Sequence, residues 1–211
     1  LTATQLKGRG LDLEAAEEAP AQPEPVRKPW RTPQFLQDRP LTGREKGIAT
    51  HLFMQFVRYE SCTTREGIRQ ELARLQAEKF LTPRQCEAVD TEKILALFSS
   101  GLGTRILGAK NLRREFKFSI LTDAAAYDPA AAGEQIMLQG VVDCFWQEVD
   151  GIVILDFKTD YIDGDLDRKT ARYAPQLRAY AEALSRIYGL PVKKTILYFF
   201  SAGRAAEIDP E

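Results

Sequence analysis

A chain of 211 residues with 44% hydrophobic content is long enough for one sizeable core, and favours one main domain with appendages over two domains. The formal net charge of −1 lacks the basic excess usual in a phosphate-binding surface, but a site that gathers carboxylates around a cation needs no such excess, so total charge excludes neither reading. No apolar run reaches bilayer-spanning length and no signal-peptide pattern opens the chain, so a cytoplasmic protein with no membrane partner is expected.

Taken in chain order, Thr2 to Lys7 reads as the start of a short threonine-capped helix, too short to stand alone, as in a fragment of a longer protein. Residues 11 to 42 carry Pro20, Pro23, Pro25, Pro29, Pro33 and Pro40 and keep no helical or strand period. Residues 1–42 are therefore expected to be a linker or arm from a larger chain, and 43–211 the domain. After Gly43 and Gly47, the apolar Leu52, Phe53, Phe56 and Val57 repeat at helical spacing. A second helix is predicted near 64–79, and Thr82-Pro83 opens a third that should run to about Ser99. Three strands follow, over 114–121, 134–149 and 151–157, the last two joined by the turn Asp150-Gly151. A helix over 170–188 ends at Gly189 and Pro191, and a strand over 194–201 pairs with 205–208 through Gly203. The core order αβββαβ implies an α/β fold, a mixed central sheet flanked by helices, with an extra helical region before it.

The chemistry-bearing residues cluster on the second and third strands, as Gly140-Val141-Val142-Asp143 and Ile154-Leu155-Asp156-Phe157-Lys158-Thr159. Side chains alternate along a strand, so Asp156 and Lys158 share one face while Leu155 and Phe157 share the other. The hairpin sets Asp143 and Asp156 on adjacent antiparallel strands, where opposed side chains approach to roughly 5 Å. Two such carboxylates repel unless a cation intervenes, and a hard divalent ion with oxygen ligands is the natural occupant. Each residue also has a plainer reading. Asp156 and Lys158 could be a rim ion pair, and His51, the single histidine, could belong to a polar helix face with Thr50, Gln55 and Arg58. Tyr180 could be core packing beside Leu177 and Leu184. Alternation would put Glu115 and Lys117 on a solvated strand face, opposite Arg114, Phe116 and Phe118.

Four segments in fixed order tip the balance: Gly47-Ile48-Ala49-Thr50-His51, Gly140-Val141-Val142-Asp143, Asp156-Phe157-Lys158-Thr159 and Gln176-Leu177-Arg178-Ala179-Tyr180. Together they resemble the PD-(D/E)xK nuclease superfamily, and within it the RecB-like and AddA-type helicase-nuclease domains, over about residues 42–209. Val142 stands where the superfamily name has proline, as RecB-like members commonly show. The leading Thr2 to Lys7 also resembles the segment ahead of AddA-type nuclease domains. The resemblance implies a restriction-endonuclease-like fold and a DNA nuclease acting in double-strand break repair and DNA end processing. Its catalytic residues would be Asp143, Asp156 and Lys158. Magnesium would sit on His51, Asp143, Asp156 and the Phe157 carbonyl, with manganese or calcium able to substitute in vitro. Glu115, Gln176 and Tyr180 would support them, and Arg168, Lys169, Arg172 and Arg178 could meet phosphates.

The implied partners are DNA, helicase domains of the same parent chain and an AddB-type subunit. No iron–sulfur cluster is expected, because Cys62, Cys86 and Cys144 are widely spaced and form no CxxC pair. No ATP is expected on this piece, because it has no G-x-x-x-x-G-K-(S/T) loop. The rival readings are a catalytically silent module that docks a partner or guides DNA, and a restriction-type endonuclease with its own base specificity.

Overall fold

A computed structural model describes residues 41–127, 129–162 and 164–210; the helix expected at Thr2 to Lys7 and nearly all of the expected arm lie outside them. Helix α1 (Gly43–Phe56) opens on a capping box, in which Thr42 Oγ1 accepts from the Glu45 N–H at 3.2 Å and Glu45 Oε2 accepts from the Thr42 N–H at 2.8 Å. Helix α2 spans Arg65–Ala77. The single third helix expected to run to Ser99 is two, α3 (Pro83–Ala88) and α4 (Thr91–Phe98). The chain breaks at Val89 because Asp90 accepts from the Lys93 N–H at 3.2 Å and so caps a new helix. Ser100 caps a further helix, α5 (Gly101–Gly108), which the expected elements did not include.

Strands β1 (Arg113–Asp123), β2 (Gln135–Glu148) and β3 (Gly151–Lys158) form an antiparallel meander. Helix α6 (Leu166–Tyr188) crosses over to β4 (Val192–Phe199), parallel to β3, and β5 (Arg204–Ile208) returns antiparallel. The sheet order is β1-β2-β3-β4-β5. Helix α6 starts ahead of the expected residue 170 because Asp165 accepts from the Arg168 N–H at 2.8 Å. Pro175 costs α6 one helical hydrogen bond but lies on its exposed side. Among the described residues, no helix is long and apolar enough to cross a membrane.

The two sheet faces bury separate cores. One packs Phe53, Ile68 and Leu97 of the N-terminal helices against Cys144, Trp146, Val153, Leu155 and Phe157. The other packs Leu177, Tyr180 and Leu184 of α6 against Phe145, Ile154 and Leu197. The expected alternation fails at one point of β1. Phe116 and Phe118 face α6, but Arg114 turns to the opposite face, where Nη1 donates to Met54 O at 3.1 Å and Val57 O at 2.6 Å and the guanidinium lies 4.5 Å from the Tyr59 ring centre. The flip occurs at Glu115, whose φ of 49° is left-handed for a residue with a Cβ. Arg114 thereby satisfies carbonyls at the C-terminal end of α1 and fixes that helix to the sheet.

Candidate active site

Strands β2 and β3 pair only as far as Cys144 opposite Leu155. The next pair in that register, Asp143 and Asp156, falls where the strands part, β2 continuing against β1 and β3 beside β4. Asp143 fills the fork, its Oδ2 accepting from the Phe157 N–H at 2.8 Å. The N–H and C=O of one strand residue point the same way in the sheet. Lys158 O accepts from Phe200 N on the β4 side, so the neighbouring Phe157 carbonyl faces the fork.

Asp156 is 2% exposed, and its Oδ2 makes no hydrogen bond; its neighbour is Lys158 Nζ, an ion pair at 2.7 Å. His51, one turn along α1 from Gly47, brings Nδ1 to 3.6 Å from Asp143 Oδ2, too long for a hydrogen bond. Glu115 is opposite Asp143 in the β1–β2 register, between the pairs Arg114–Cys144 and Phe116–Val142. Burial, and then repulsion by Asp156, raise the Asp143 pKa well above the carboxylate range. Glu115 is raised by burial and by the same Asp156 charge. Burial, and then the Lys158 ammonium, lower the His51 pKa to about 4, so its imidazole is neutral at pH 7 with a lone pair free to bind.

A buried carboxylate oxygen without a hydrogen bond, a second carboxylate that repels it and a neutral imidazole beside them make a donor set that fits a hard divalent cation. Among the described residues, no three His, Cys, Asp or Glu side chains are drawn together tightly enough to hold a metal ion as they stand. The Lys158 ammonium, in contact with Asp156 Oδ2, supplies the positive charge there instead.

The charge conflict has a thermodynamic signature. A carboxyl whose folded pKa is raised contributes stability that is present below its unfolded pKa and lost as pH rises through the folded one. Asp143→Asn keeps an acceptor for Phe157 N and removes that loss. Its thermal midpoint in chelator should exceed wild type by a margin that widens from about pH 4 to neutrality. The His51 contribution has the opposite sign, present above pH 6.5 and lost as pH falls toward about 4, and is common to both proteins. A margin independent of pH would show that Asp143 bears no such penalty.

Lys158 is held from α6. Its Nζ donates to Gln176 Oε1 at 3.2 Å, and Gln176 Nε2 donates to the Tyr180 hydroxyl at 2.8 Å, with both α6 side chains buried. The expected supporting pair thus reaches the lysine as a relay. Two further residues, Tyr173 and Asp160, were not singled out in the sequence. The Tyr173 ring centre lies 4.2 Å from Lys158 Nζ, and its hydroxyl donates to Asp160 Oδ2 at 2.8 Å. Tyr173, Gln176 and Tyr180 are spaced i, i+3, i+7, a stripe that helical periodicity could have revealed. Of the expected phosphate contacts, Lys169 is engaged with Asp160 at 3.2 Å, and Arg168 and Arg172 line an open cleft of about 260 Å³ with Asp165 and Lys169. Arg178 is exposed on α6.

The sequence pattern of the PD-(D/E)XK nuclease superfamily matches residues 26–210. The chain belongs to the PD-(D/E)XK nuclease superfamily. The match begins inside the stretch expected to be an arm. The chain is 38% identical over 196 residues to the A-type subunit of the ATP-dependent helicase/nuclease of Bacillus cereus (strain Q1), covering 87% of this chain and 16% of that protein. It is 37% identical over 185 residues to the protein of the same name from Clostridium novyi (strain NT), covering 84% of this chain and 15% of that protein. The chain therefore spans about a sixth of the length of these relatives.

Two glycines of this PD-(D/E)XK domain owe their place to contacts within the site. A Cβ on Gly47 would lie 2.6 Å from Thr159 Oγ1, so the glycine lets α1, and with it His51, approach the strand end that carries Lys158. A Cβ on Gly140 would meet Phe118 Cζ at 2.7 Å and Tyr180 Cε1 at 3.0 Å. Those rings meet edge to face at 5.8 Å, and Gly140 leaves room for both. Gly140→Ala should cost about 1–3 kcal/mol of stability, as overpacking does. It should also slow cleavage through displacement of Tyr180 from Gln176. Urea melts and single-turnover rates check both, and a variant matching wild type in both would show the pair adapts freely.

Proposed function

We propose that this domain hydrolyses DNA phosphodiesters with a divalent cation, magnesium, as the nuclease part of an AddA-type ATP-dependent helicase/nuclease. The observation that carries the reading is the meeting, at one strand fork of a superfamily chain, of a buried and a half-buried carboxylate, a neutral imidazole and an ammonium. His51, Asp143, Asp156 and the Phe157 carbonyl would hold the cation, and manganese or calcium suits the same donors in vitro. When bound, the cation supplies electrophilic polarisation of the scissile phosphate and favours ionisation of water.

The side chains do the rest. Lys158, steadied by Gln176, presents an ammonium that can donate to charge growing on the phosphate or, once neutral, take a proton from the attacking water. Glu115 adds negative charge beside Asp143, which strengthens the demand for a cation. Arg168, Arg172 and Arg178 offer phosphate contacts that position the strand. The relatives' names support helicase domains in the same parent chain and ATP use by that motor. A role in double-strand break repair and DNA end processing, and an AddB-type partner, follow from the AddA-type resemblance.

The test is degradation of end-labelled single-stranded DNA by the purified chain. Cleavage should appear with magnesium, stop on chelation and be absent in Asp156→Ala. Cleavage that persists in chelator, or survives the substitution, overturns the proposal.

A further inference from the structure

We infer that Tyr173 is a positioning residue for Lys158, its ring forming a floor that holds the ammonium in line with the fork; the inference rests on the nuclease reading above. Lys158 Nζ meets Asp156 Oδ2 at 2.7 Å, Gln176 Oε1 at 3.2 Å and the Tyr173 ring centre at 4.2 Å. Asp156 is also a proposed cation ligand. An ammonium held by that carboxylate alone would lose its anchor to any cation that engaged it. Gln176 and Tyr173 are not proposed ligands, so their hold on Lys158 is independent of the carboxylate.

The ring is itself fixed. Tyr173 is 2% exposed and packs against Phe199, the ring centres 6.2 Å apart. Its hydroxyl donates to Asp160, which the Lys169 ammonium also meets at 3.2 Å. Against the cost of burial, these two partners hold the Asp160 carboxyl below its ordinary range, so it stays an acceptor. The Asp160 backbone is tied in turn, its carbonyl accepting from Ser201 Oγ at 2.7 Å. A cation over a desolvated aromatic face is attracted more strongly than one at the surface, and Lys158 keeps only 13% of its side chain exposed. Position 173 therefore needs an electron-rich ring more than it needs a hydroxyl.

The test separates ring electronics from packing. Tyr173→Phe keeps the ring, while tri- and pentafluorophenylalanine incorporated at position 173 keep much of the shape and weaken the negative face. Single-turnover cleavage at saturating magnesium and DNA should stay within about threefold of wild type for Tyr173→Phe. It should fall progressively along the fluorinated series, by about tenfold at the end, with DNA affinity unchanged throughout. A rate that stays flat along the series overturns the inference, as does a Tyr173→Phe variant as slow as the pentafluoro one. Asp156→Ala, run beside them, keeps the two readings apart. If it is inactive while the fluorinated series is flat, the nuclease reading stands and the role of Tyr173 fails. If it cleaves like wild type, the nuclease reading fails first.

Discussion

Asp156→Ala is expected to lower single-turnover cleavage on the order of 10³-fold or more while leaving the fold intact. Asp156 is buried beside a second carboxylate, and its Oδ2 makes no hydrogen bond, so the core loses little when it goes. Repulsion at Asp143 is relieved, and Lys158 retains Gln176 and the Tyr173 ring. Removing the carboxylate also takes away its ion pair with Lys158, a cost that opposes the relief. The thermal midpoint in chelator should thus move by no more than about 3 °C. Magnesium should raise the midpoint of wild type and fail to raise that of the variant. A large drop in midpoint, with full specific activity in the protein that remains folded, would make Asp156 a structural residue.

Lys158→Ala should bind DNA almost as wild type does and cut it on the order of 10²-fold or more slowly, because one phosphate contact is replaceable and a positioned ammonium is not. The substitution also leaves Asp156 and Asp143 adjacent without their internal cation. Stability in chelator should therefore fall, and magnesium should restore more of it than it adds to wild type. Lys158→Arg should not rescue the rate. Its larger planar head must fit a space bounded by Asp156, Gln176 and the Tyr173 ring, and it cannot give up a proton. Should both variants retain near wild-type single-turnover rates, Lys158 is an ordinary strand charge and the proposed chemistry rests on the carboxylates alone.

The meander, the α6 crossover and the face shared by Asp156 and Lys158 were legible because they follow from local periodicity, which strand pleating and helical pitch impose directly. The approach of His51 to Asp143 was legible only through the ordered motifs, since no spacing rule links α1 to β2. What escaped has physical reasons. Alternation placed Arg114 with Phe116 and Phe118, and a single left-handed residue, Glu115, reverses that parity. The break at Val89 turns on the capping choice of Asp90 inside a run that otherwise reads as one helix. Tyr173 looks like any apolar helix residue until β3 delivers an ammonium to its face, and Asp160 is one acid among several in its loop. Such roles arise from tertiary contact, which a one-dimensional pattern does not contain.

The fork draws on almost every part of the domain: His51 from α1, Glu115 from β1, Asp143 from β2, Asp156 and Lys158 from β3, and Tyr173, Gln176 and Tyr180 from α6. No contiguous stretch contains the proposed set. During synthesis the acids, the histidine and the lysine with its Asp156 partner precede α6, and the lysine gains Gln176 and the Tyr173 ring only when α6 emerges and docks. On the proposed nuclease reading, the full set would come together only once α6 has docked, so a truncated or half-folded chain would be expected to cut poorly.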